Sequence, residues 1–297
     1  MPAGSKIEAT DYNTIRNKII SVMGNGVGNT GYGQPVVSTA VLAGNKITKV
    51  QWDQLRYDII NARMHQDGIS PSIVSATVGS PIIYGVSHPN TQYNMHADLA
   101  IANRFNIGSG QSVNDVGTTV TYSSNWSSSV STTVTVTFGS ADYARWFFNS
   151  GGKIKFNSSR VGGTSSDQNT AWSNLLTSAS TYEFGANTSM NFFLADNITN
   201  KLCFSTTSSA PYNATYSIRV QSNVSDNSAG GATILTFLVT WADGYVYAGP
   251  PNPTDLVNGT LTLTVSELRA SGSLQPGTVG PFVVVKPSYS ATSISGA

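Results

Sequence analysis

The chain has 297 residues, of which 16 are Lys or Arg and 15 are Asp or Glu, so its formal net charge is +1. Charged residues make up 10% of the chain, against roughly 25% in an ordinary soluble domain, while Ser, Thr and Asn together fill 97 positions. This composition lacks the positive field that draws proteins onto nucleic acids or anionic membranes, and its 39% apolar content excludes general disorder.

The first predicted helix begins after Thr10, which we expect to act as its N-cap. Apolar side chains then recur at helical spacing at Tyr12, Ile15 and Ile19. Gly24 stands where a glycine commonly ends a helix. The pattern therefore predicts an amphipathic helix of about 14 residues, which is marginal by itself in water.

The second predicted helix has a stronger start signal. Thr48 and Gln51 fit the capping box, in which each side chain bonds to the free backbone N–H of the other residue. Trp52, Leu55 and Ile59 then form one apolar stripe. This helix is expected to end near residues 65–68.

We predict that residues 1–70 form a helical anchor for assembly. Two short helices joined by a glycine-rich stretch at residues 24–33 are too small to bury a core of their own. Their apolar stripes are therefore expected to be covered by a partner. The candidate assembly interface consists of Tyr12, Ile15, Ile19, Trp52, Leu55 and Ile59.

Residues 71–110 are expected to form a linker with one short helix. Pro71, Pro81 and Pro89 interrupt the apolar segments. A helix is predicted from about residue 91 to 103, with Met95, Leu99 and Ala100 on one side.

From about residue 116 the hydrophobic period becomes two, which is typical of half-buried strands. Strands are expected at residues 130–138, 214–220, 261–265 and 279–285, and a more central one at residues 234–241. Two helices are predicted between them, at residues 140–149 and 167–179. The fold class is therefore α+β, with a β-rich, sandwich-like body domain at residues 111–297 that carries two or three short helices.

The sequence offers little catalytic chemistry. Gly26-Val27-Gly28-Asn29-Thr30-Gly31 matches the dinucleotide fingerprint, but it follows a predicted helix where the motif requires a strand. His88 and His96, with Asp98 nearby, are better explained as solvent or core residues than as metal ligands. Glu183 and Glu267 are a formal glycosidase pair, with nothing in the sequence that brings them together. No catalytic residue, cofactor or metal is therefore predicted.

No apolar run approaches the roughly 20 residues of a membrane span, and the N-terminus lacks the pattern of a secretory signal. Cys203 is the single cysteine, which excludes an intrachain disulfide. We expect a protein made in the cytoplasm and not inserted into a membrane.

Several segments resemble virion structural proteins of tailed phages, particularly the contractile-tailed phages of cyanobacteria. The resemblance rests on residues 9–13, 31–34, 52–59, 65–68, 141–156 and 168–176. Its structural motif comprises Tyr143, Arg145, Trp146, Phe147, Phe148, Gly151, Gly152 and Trp172. The residues themselves indicate a packing motif, because Gly151-Gly152 allows a sharp turn that locks the aromatic helix onto a sheet.

The resemblance implies a non-enzymatic component of the tail, neck, baseplate or an attached fibre, located in the virion after assembly in the host cytoplasm. Other virion proteins are the expected partners, and a homo-oligomer is expected because virion parts repeat around symmetry axes. No direct contact with nucleic acid is expected. Two alternatives stay open: a receptor- or glycan-binding module of a fibre, which contacts a host-surface glycan through exposed aromatics, and a polysaccharide-degrading enzyme.

Overall fold

The computed structural model describes residues 7–78, 89–245, 256–272 and 285–296. These residues fold into two compact units. Unit 1 comprises Met1–Val113, Arg145–Gly152 and Arg269–Val285. Unit 2 comprises Asn114–Ala144, Lys153–Leu268 and Lys286–Ala297.

The helices are α1 (Ala9–Met23), α2 (Lys49–Asp67), α3 (Pro89–Ala102), α4 (Ala141–Asn149) and α5 (Asp167–Ala179). A short 3₁₀ helix covers Phe192–Leu194. In the described part of the chain, none of the helices combines the length and the apolar character needed to cross a membrane.

In the residues that the structure describes, ten strands form two antiparallel sheets, which confirms the α+β fold with a β-rich part. They are β1 (Ser112–Tyr122), β2 (Ser129–Thr137), β3 (Lys153–Val161), β4 (Thr181–Phe184), β5 (Lys201–Thr207), β6 (Thr215–Ser222), β7 (Ile234–Ala242), β8 (Thr260–Ala270), β9 (Ser288–Ala291) and β10 (Ser295–Gly296). The first sheet has the order β1-β8-β3-β4. The second has the order β10-β2-β7-β6-β5, and β9 also pairs with β2.

The start of α2 is as predicted and the start of α1 is not. The Thr48 hydroxyl accepts from the Gln51 N–H, and the Thr48 N–H donates to Gln51 Oε1 at 2.9 Å, so the capping box is confirmed. Helix α1 begins after Glu8, whose N–H donates to Asp11 Oδ2 at 2.8 Å. Thr10 therefore lies inside the first turn, because the acidic pair at Glu8 and Asp11 outcompetes it as the cap.

The six residues of the candidate assembly interface lie in the core of unit 1. Tyr12, Ile15, Ile19, Trp52, Leu55 and Ile59 are each at most 3% exposed and belong to one apolar cluster. Helix α3 completes this cluster with Tyr93, Ala97 and Ala100. The prediction that a partner covers the two stripes is therefore wrong, since the chain's own third helix covers them.

The predicted face of α3 also needs correction. Met95 is 46% and Leu99 is 38% exposed, whereas Ala100 is buried with Tyr93 and Ala97. The buried face of α3 is thus formed by residues 93, 97 and 100, and the aromatic ring of Tyr93 points into the core. Residues 1–70 and 71–110 share this core, so position 70 does not separate two units.

In unit 2 the strand β7 is central, as its continuous apolar sequence predicts. It lies between β2 and β6, so that Phe237 is opposite Val134 of β2 on one side and opposite Val220 of β6 on the other. The two sheets meet through buried aromatic side chains. The rings of Phe156 and Phe237 lie 4.8 Å apart, and the Trp241 indole donates to Ser158 Oγ at 2.8 Å. Of the strand expected at 279–285, residues 279–284 lie outside the described residues.

Candidate functional site

Three segments that include the resembling residues 31–34, 65–68 and 145–152 meet inside unit 1. They are the glycine-rich loop at residues 24–34, the end of α2 at residues 63–68, and the end of α4 with its turn at residues 145–152. We call this place the buried junction. It brings together residues that are more than 100 positions apart in the chain.

Trp146 fixes α4 to the glycine-rich loop. Its indole Nε1 donates to the carbonyl of Asn25 at 3.0 Å. Its ring lies over Gly33, so closely that a Cβ added at Gly33 would be 2.2 Å from Trp146 Cδ2. Gly33 also has φ +69°, a conformation that side chains with a Cβ rarely adopt. The close approach therefore requires glycine at this position.

Asn149 holds the same loop from the next turn of α4. Its side-chain Nδ2 lies 3.1 Å from the carbonyl oxygen of Gly28, 2.9 Å from that of Thr30 and 3.2 Å from that of Gly31. Asn149 is 1% exposed. Buried carbonyl oxygens need hydrogen-bond donors. The side-chain amide of Asn149 supplies them to the three loop carbonyls that point toward it.

His65 connects the end of α2 to the turn after α4. Its Nε2 lies 2.8 Å from the carbonyl oxygen of Ser150, and its ring lies 5.2 Å from that of Tyr32. Desolvation by burial lowers the pKa of His65 to about 4, despite the bond to Ser150, which raises it. His65 is therefore neutral at pH 7 and donates to the carbonyl.

Tyr32 and Gln66 complete the buried junction. The Tyr32 hydroxyl donates to the carbonyl of Arg104 at 2.6 Å. Gln66 Nε2 donates to the Tyr32 hydroxyl at 2.8 Å and to the Ala100 carbonyl at 2.7 Å. Burial raises the pKa of Tyr32 above its ordinary value. These bonds hold the loop, α2 and the end of α3 in one arrangement.

Asp58 performs a similar task elsewhere in unit 1. Its two carboxylate oxygens accept from the backbone N–H groups of Val37 and Ser38 at 3.0 and 2.9 Å. Burial raises the pKa of Asp58, while these bonds act in the opposite direction. The residue is buried on α2 and ties the extended segment at residues 36–41 to the helix.

The remaining motif residues divide between the two units. Arg145, Phe147 and Phe148 are buried and, with the turn at Gly151-Gly152, belong to unit 1. Gly151 has φ +90°, so the predicted sharp turn before β3 is confirmed. Tyr143 belongs to unit 2 and is 45% exposed. The hydrogen bonds of Trp146 and Asn149 run to the glycine-rich loop, which differs from the predicted attachment of α4 to a sheet.

Trp172 lies within unit 2 and is fully buried on α5. Its ring packs against Trp126 at 4.7 Å. Gln168, one turn earlier, donates through Nε2 to Asp243 Oδ2 at 2.6 Å. The bond to Asp243 fixes α5 to the loop that follows β7.

Arg160, Asn169 and Asn258 pin the loop after β3. The Asn169 side chain donates to Asn258 Oδ1 at 2.8 Å and to the Thr164 carbonyl at 2.9 Å. The Arg160 guanidinium donates to the Asn169 carbonyl at 3.2 Å and to the Asn258 carbonyl. Here too, polar side chains donate to backbone carbonyls of their own unit.

The strand register rules out a carboxylate pair at Glu183 and Glu267. Glu183 pairs with Lys155 and Glu267 pairs with Ile154, on either side of β3. Neighbouring residues of a strand point to opposite faces, so the two carboxylates cannot converge. Glu183 bonds to Lys153 at 2.5 Å, and the buried Glu267 accepts from the Tyr289 hydroxyl at 2.7 Å.

The fingerprint-like glycine loop is built with the wrong polarity for a phosphate. It follows α1, and the carbonyls of Gly28, Thr30 and Gly31 converge on Asn149, whereas a phosphate requires N–H donors. For the metal alternative, Asp98 is paired with Lys18 at 2.6 Å, and His88 lies outside the described residues. Within the described ranges, no group of three or more His, Cys, Asp and Glu side chains could hold a metal ion.

Comparison with known proteins adds no relationship. The chain matches no protein-family model, and searches of curated proteins and of solved structures find no significant match.

Proposed function

We propose that this chain is a non-enzymatic structural component of a phage virion, in the tail, neck, baseplate or an attached fibre. The observation that carries the proposal is the buried junction. Parts of three of the segments that resemble virion structural proteins, at residues 31–34, 65–68 and 145–152, are distant in sequence, yet they meet there. There Trp146, Asn149 and Gln66 donate to backbone carbonyls of the same unit. Such bonds hold unit 1 in one arrangement, which a structural subunit requires.

The composition supports the same role. With 31 charged residues among 297, surfaces rich in Ser, Thr and Asn are wetted by hydroxyls and amides. Interactions between exposed charges weaken when salt is added. A particle that leaves the cell meets a changed ionic strength, and a sparsely charged subunit responds little to that change.

The assembly surface must differ from the one predicted from the stripes of α1 and α2. Those stripes are inside unit 1, so other virion proteins are proposed to contact the side chains that remain exposed. Large exposed apolar side chains of unit 1 include Leu42, Val50, Tyr57, Met95 and Leu99. For the glycan-binding alternative, Tyr143, at 45% exposure, is the exposed aromatic residue of unit 2 in the described ranges. One such ring does not make a stacking platform.

Mass spectrometry of purified particles tests the proposal. The chain is expected in many copies per particle after density-gradient purification and salt washing, and an antibody against it should label one fixed region of the particle in electron micrographs. An abundant host enzyme serves as the control for contamination and should be lost during the same washing. If the chain remains in the cleared lysate and is absent from infectious particles, the proposal is refuted.

A further inference from the structure

The sequence contains two Asn-Gly steps, Asn25-Gly26 and Asn258-Gly259. In such a step the backbone nitrogen of the glycine can attack the side-chain amide carbon of the asparagine, because glycine has no Cβ to shield its nitrogen. The reaction requires a side chain that can turn toward this nitrogen, and a glycine N–H that no acceptor holds. The fold treats the two steps differently.

The side chain of Asn258 is held at both of its polar atoms. Its Oδ1 accepts from the backbone N–H of Thr164 at 2.8 Å and from Asn169 Nδ2 at 2.8 Å. Its Nδ2 donates to the Thr164 hydroxyl at 3.2 Å. The backbone of Asn258 is also fixed, since its N–H donates to Asn169 Oδ1 at 3.1 Å. Attack on the Asn258 amide would break these bonds, so the fold protects this step.

The side chain of Asn25 has no such protection. It is exposed and, within the described ranges, forms no hydrogen bond. The same holds for the N–H of Gly26, although the next N–H along the loop, that of Val27, donates to Thr30 Oγ1 at 3.0 Å. Both reacting groups of this step are therefore available, and solvent reaches the amide.

We propose that Asn25 is a deamidation site and that its conversion to isoaspartate loosens the buried junction. The Gly26 nitrogen forms a bond to the side-chain amide carbon of Asn25. The amide nitrogen leaves as ammonia, taking the proton of the Gly26 N–H, and a cyclic imide remains. Water then opens the ring at either of its two carbonyl carbons, which gives aspartate or isoaspartate. In isoaspartate the main chain runs through the former side chain, and the main-chain carbonyl of residue 25 becomes a free carboxylate.

The altered carbonyl is one that the buried junction uses. The main-chain oxygen of Asn25 accepts from Trp146 Nε1 at 3.0 Å. Isoaspartate also adds one carbon to the main chain at a place with little spare room, since a Cβ added at Gly31 would be 2.6 Å from the Asn25 carbonyl carbon. The reaction therefore disturbs the contact between α4 and the glycine-rich loop. It concerns the purified chain and does not depend on the virion role.

The test uses the purified full-length chain, incubated in slightly alkaline buffer and sampled over several weeks. Peptide mapping by mass spectrometry follows the gain in mass as each amide becomes an acid, and chromatographic retention separates aspartate from isoaspartate. Residue 25 should convert several-fold faster than residue 258, with isoaspartate as the main product. In denaturant the two sites should convert at similar rates, because both asparagines precede glycine. The difference would then come from the fold.

Asn25→Gln is the matched variant for the effect on the fold, because glutamine keeps an exposed amide but forms the corresponding ring far more slowly. After incubation the wild type should unfold at a lower temperature than its fresh sample, whereas the variant should unfold like its own fresh sample.

Three results would overturn the proposal. Residue 25 could keep its amide in the folded chain while it converts in denaturant. Residue 258 could convert as fast as residue 25 in the folded chain. The converted wild type could unfold at the same temperature as the fresh protein. If the variant fails to fold, the two sites of the wild type and the unfolding temperature of its converted fraction decide.

Discussion

His65 is fully buried at the end of α2, and its folded-state pKa of about 4 lies below the 6.5 of an unfolded histidine. Below pH 6.5 the unfolded chain binds a proton that the folded chain excludes, so protonation favours unfolding. The contribution of His65 to the free energy of unfolding is therefore fully present above pH 6.5. The free energy of unfolding should fall by about 3 kcal/mol as the pH falls to 4. Denaturant unfolding of unit 1 at several pH values measures this loss.

His65→Gln supplies the control for this prediction, because an amide can still donate to Ser150 but does not titrate. The difference in unfolding free energy between the wild type and this variant should shrink or change sign between pH 6.5 and 4. A difference that stays constant over this range would mean that the histidine titrates normally in the fold.

Gly33 and Gly44 form a matched pair for a second prediction. Both have positive φ, at +69° and +80°, but a Cβ meets Trp146 at Gly33 and meets nothing within 4 Å at Gly44. Gly44→Ala should destabilise by about 1–2 kcal/mol, the usual conformational penalty. Gly33→Ala should lose about 1–3 kcal/mol more through overpacking. Thermal unfolding compares the two, and equal losses would contradict the tight contact with Trp146.

The sequence predicted individual buried aromatics better than it predicted polar partners. The burial of Phe147, Phe148 and Trp172 follows from their apolar character in amphipathic segments. The bonds of Asn149 could not be inferred, because its three carbonyl partners lie 118–121 positions away. A polar residue in a helix gives no sign of which distant backbone it will satisfy.

At the scale of the elements, the burial of the α2 stripe distinguishes a core from an interface. Leu55→Ala removes a side chain with 0% exposure from the core of unit 1 and should cost about 2–5 kcal/mol of stability. Val50→Ala, on the same helix at 64% exposure, should change it by less than about 0.5 kcal/mol. Denaturant unfolding measures both. If Leu55→Ala left stability unchanged, this stripe would not be packed as described.

Helix limits were predictable where capping chemistry is local, as at Thr48 and Gly68. Strand β7 was predictable from its continuous apolar run. In contrast, an apolar stripe shows that a helix face must be covered but not what covers it. The packing of Tyr93 against the apolar stripes of α1 and α2 could therefore be identified only from the position of α3 in the structure. β1 and β5 were missed because their alternation is weak.

At the scale of the whole molecule, unit 1 should not tolerate the loss of its first two helices. Deleting residues 1–70 removes Trp52, whose ring lies 5.1 Å from Tyr93, and Gly33, which lies under Trp146. The truncated chain is expected to bind a hydrophobic dye and to aggregate, although none of these residues belongs to unit 2. Gel filtration and dye fluorescence, against the full chain, measure this. A monodisperse truncation that binds no dye would show that the rest of unit 1 is self-sufficient.

The division into units could not be predicted, because unit 1 is discontinuous. Local changes in composition and period mark where the chain changes character, and they indicated regions at 1–70, 71–110 and 111–297. They contain no signal that residues 145–152 return to the helices, since that return depends on long-range contacts such as the one between His65 and Ser150.

The return of the chain to unit 1 near its end also sets an order of events during synthesis on the ribosome. Ala270 belongs to the same apolar cluster as Tyr12, and the N–H of Ser271 bonds to the carbonyl of Gln111. The helices that are translated first must therefore wait, with part of their apolar surface open to chaperones, until most of the polypeptide has left the exit tunnel.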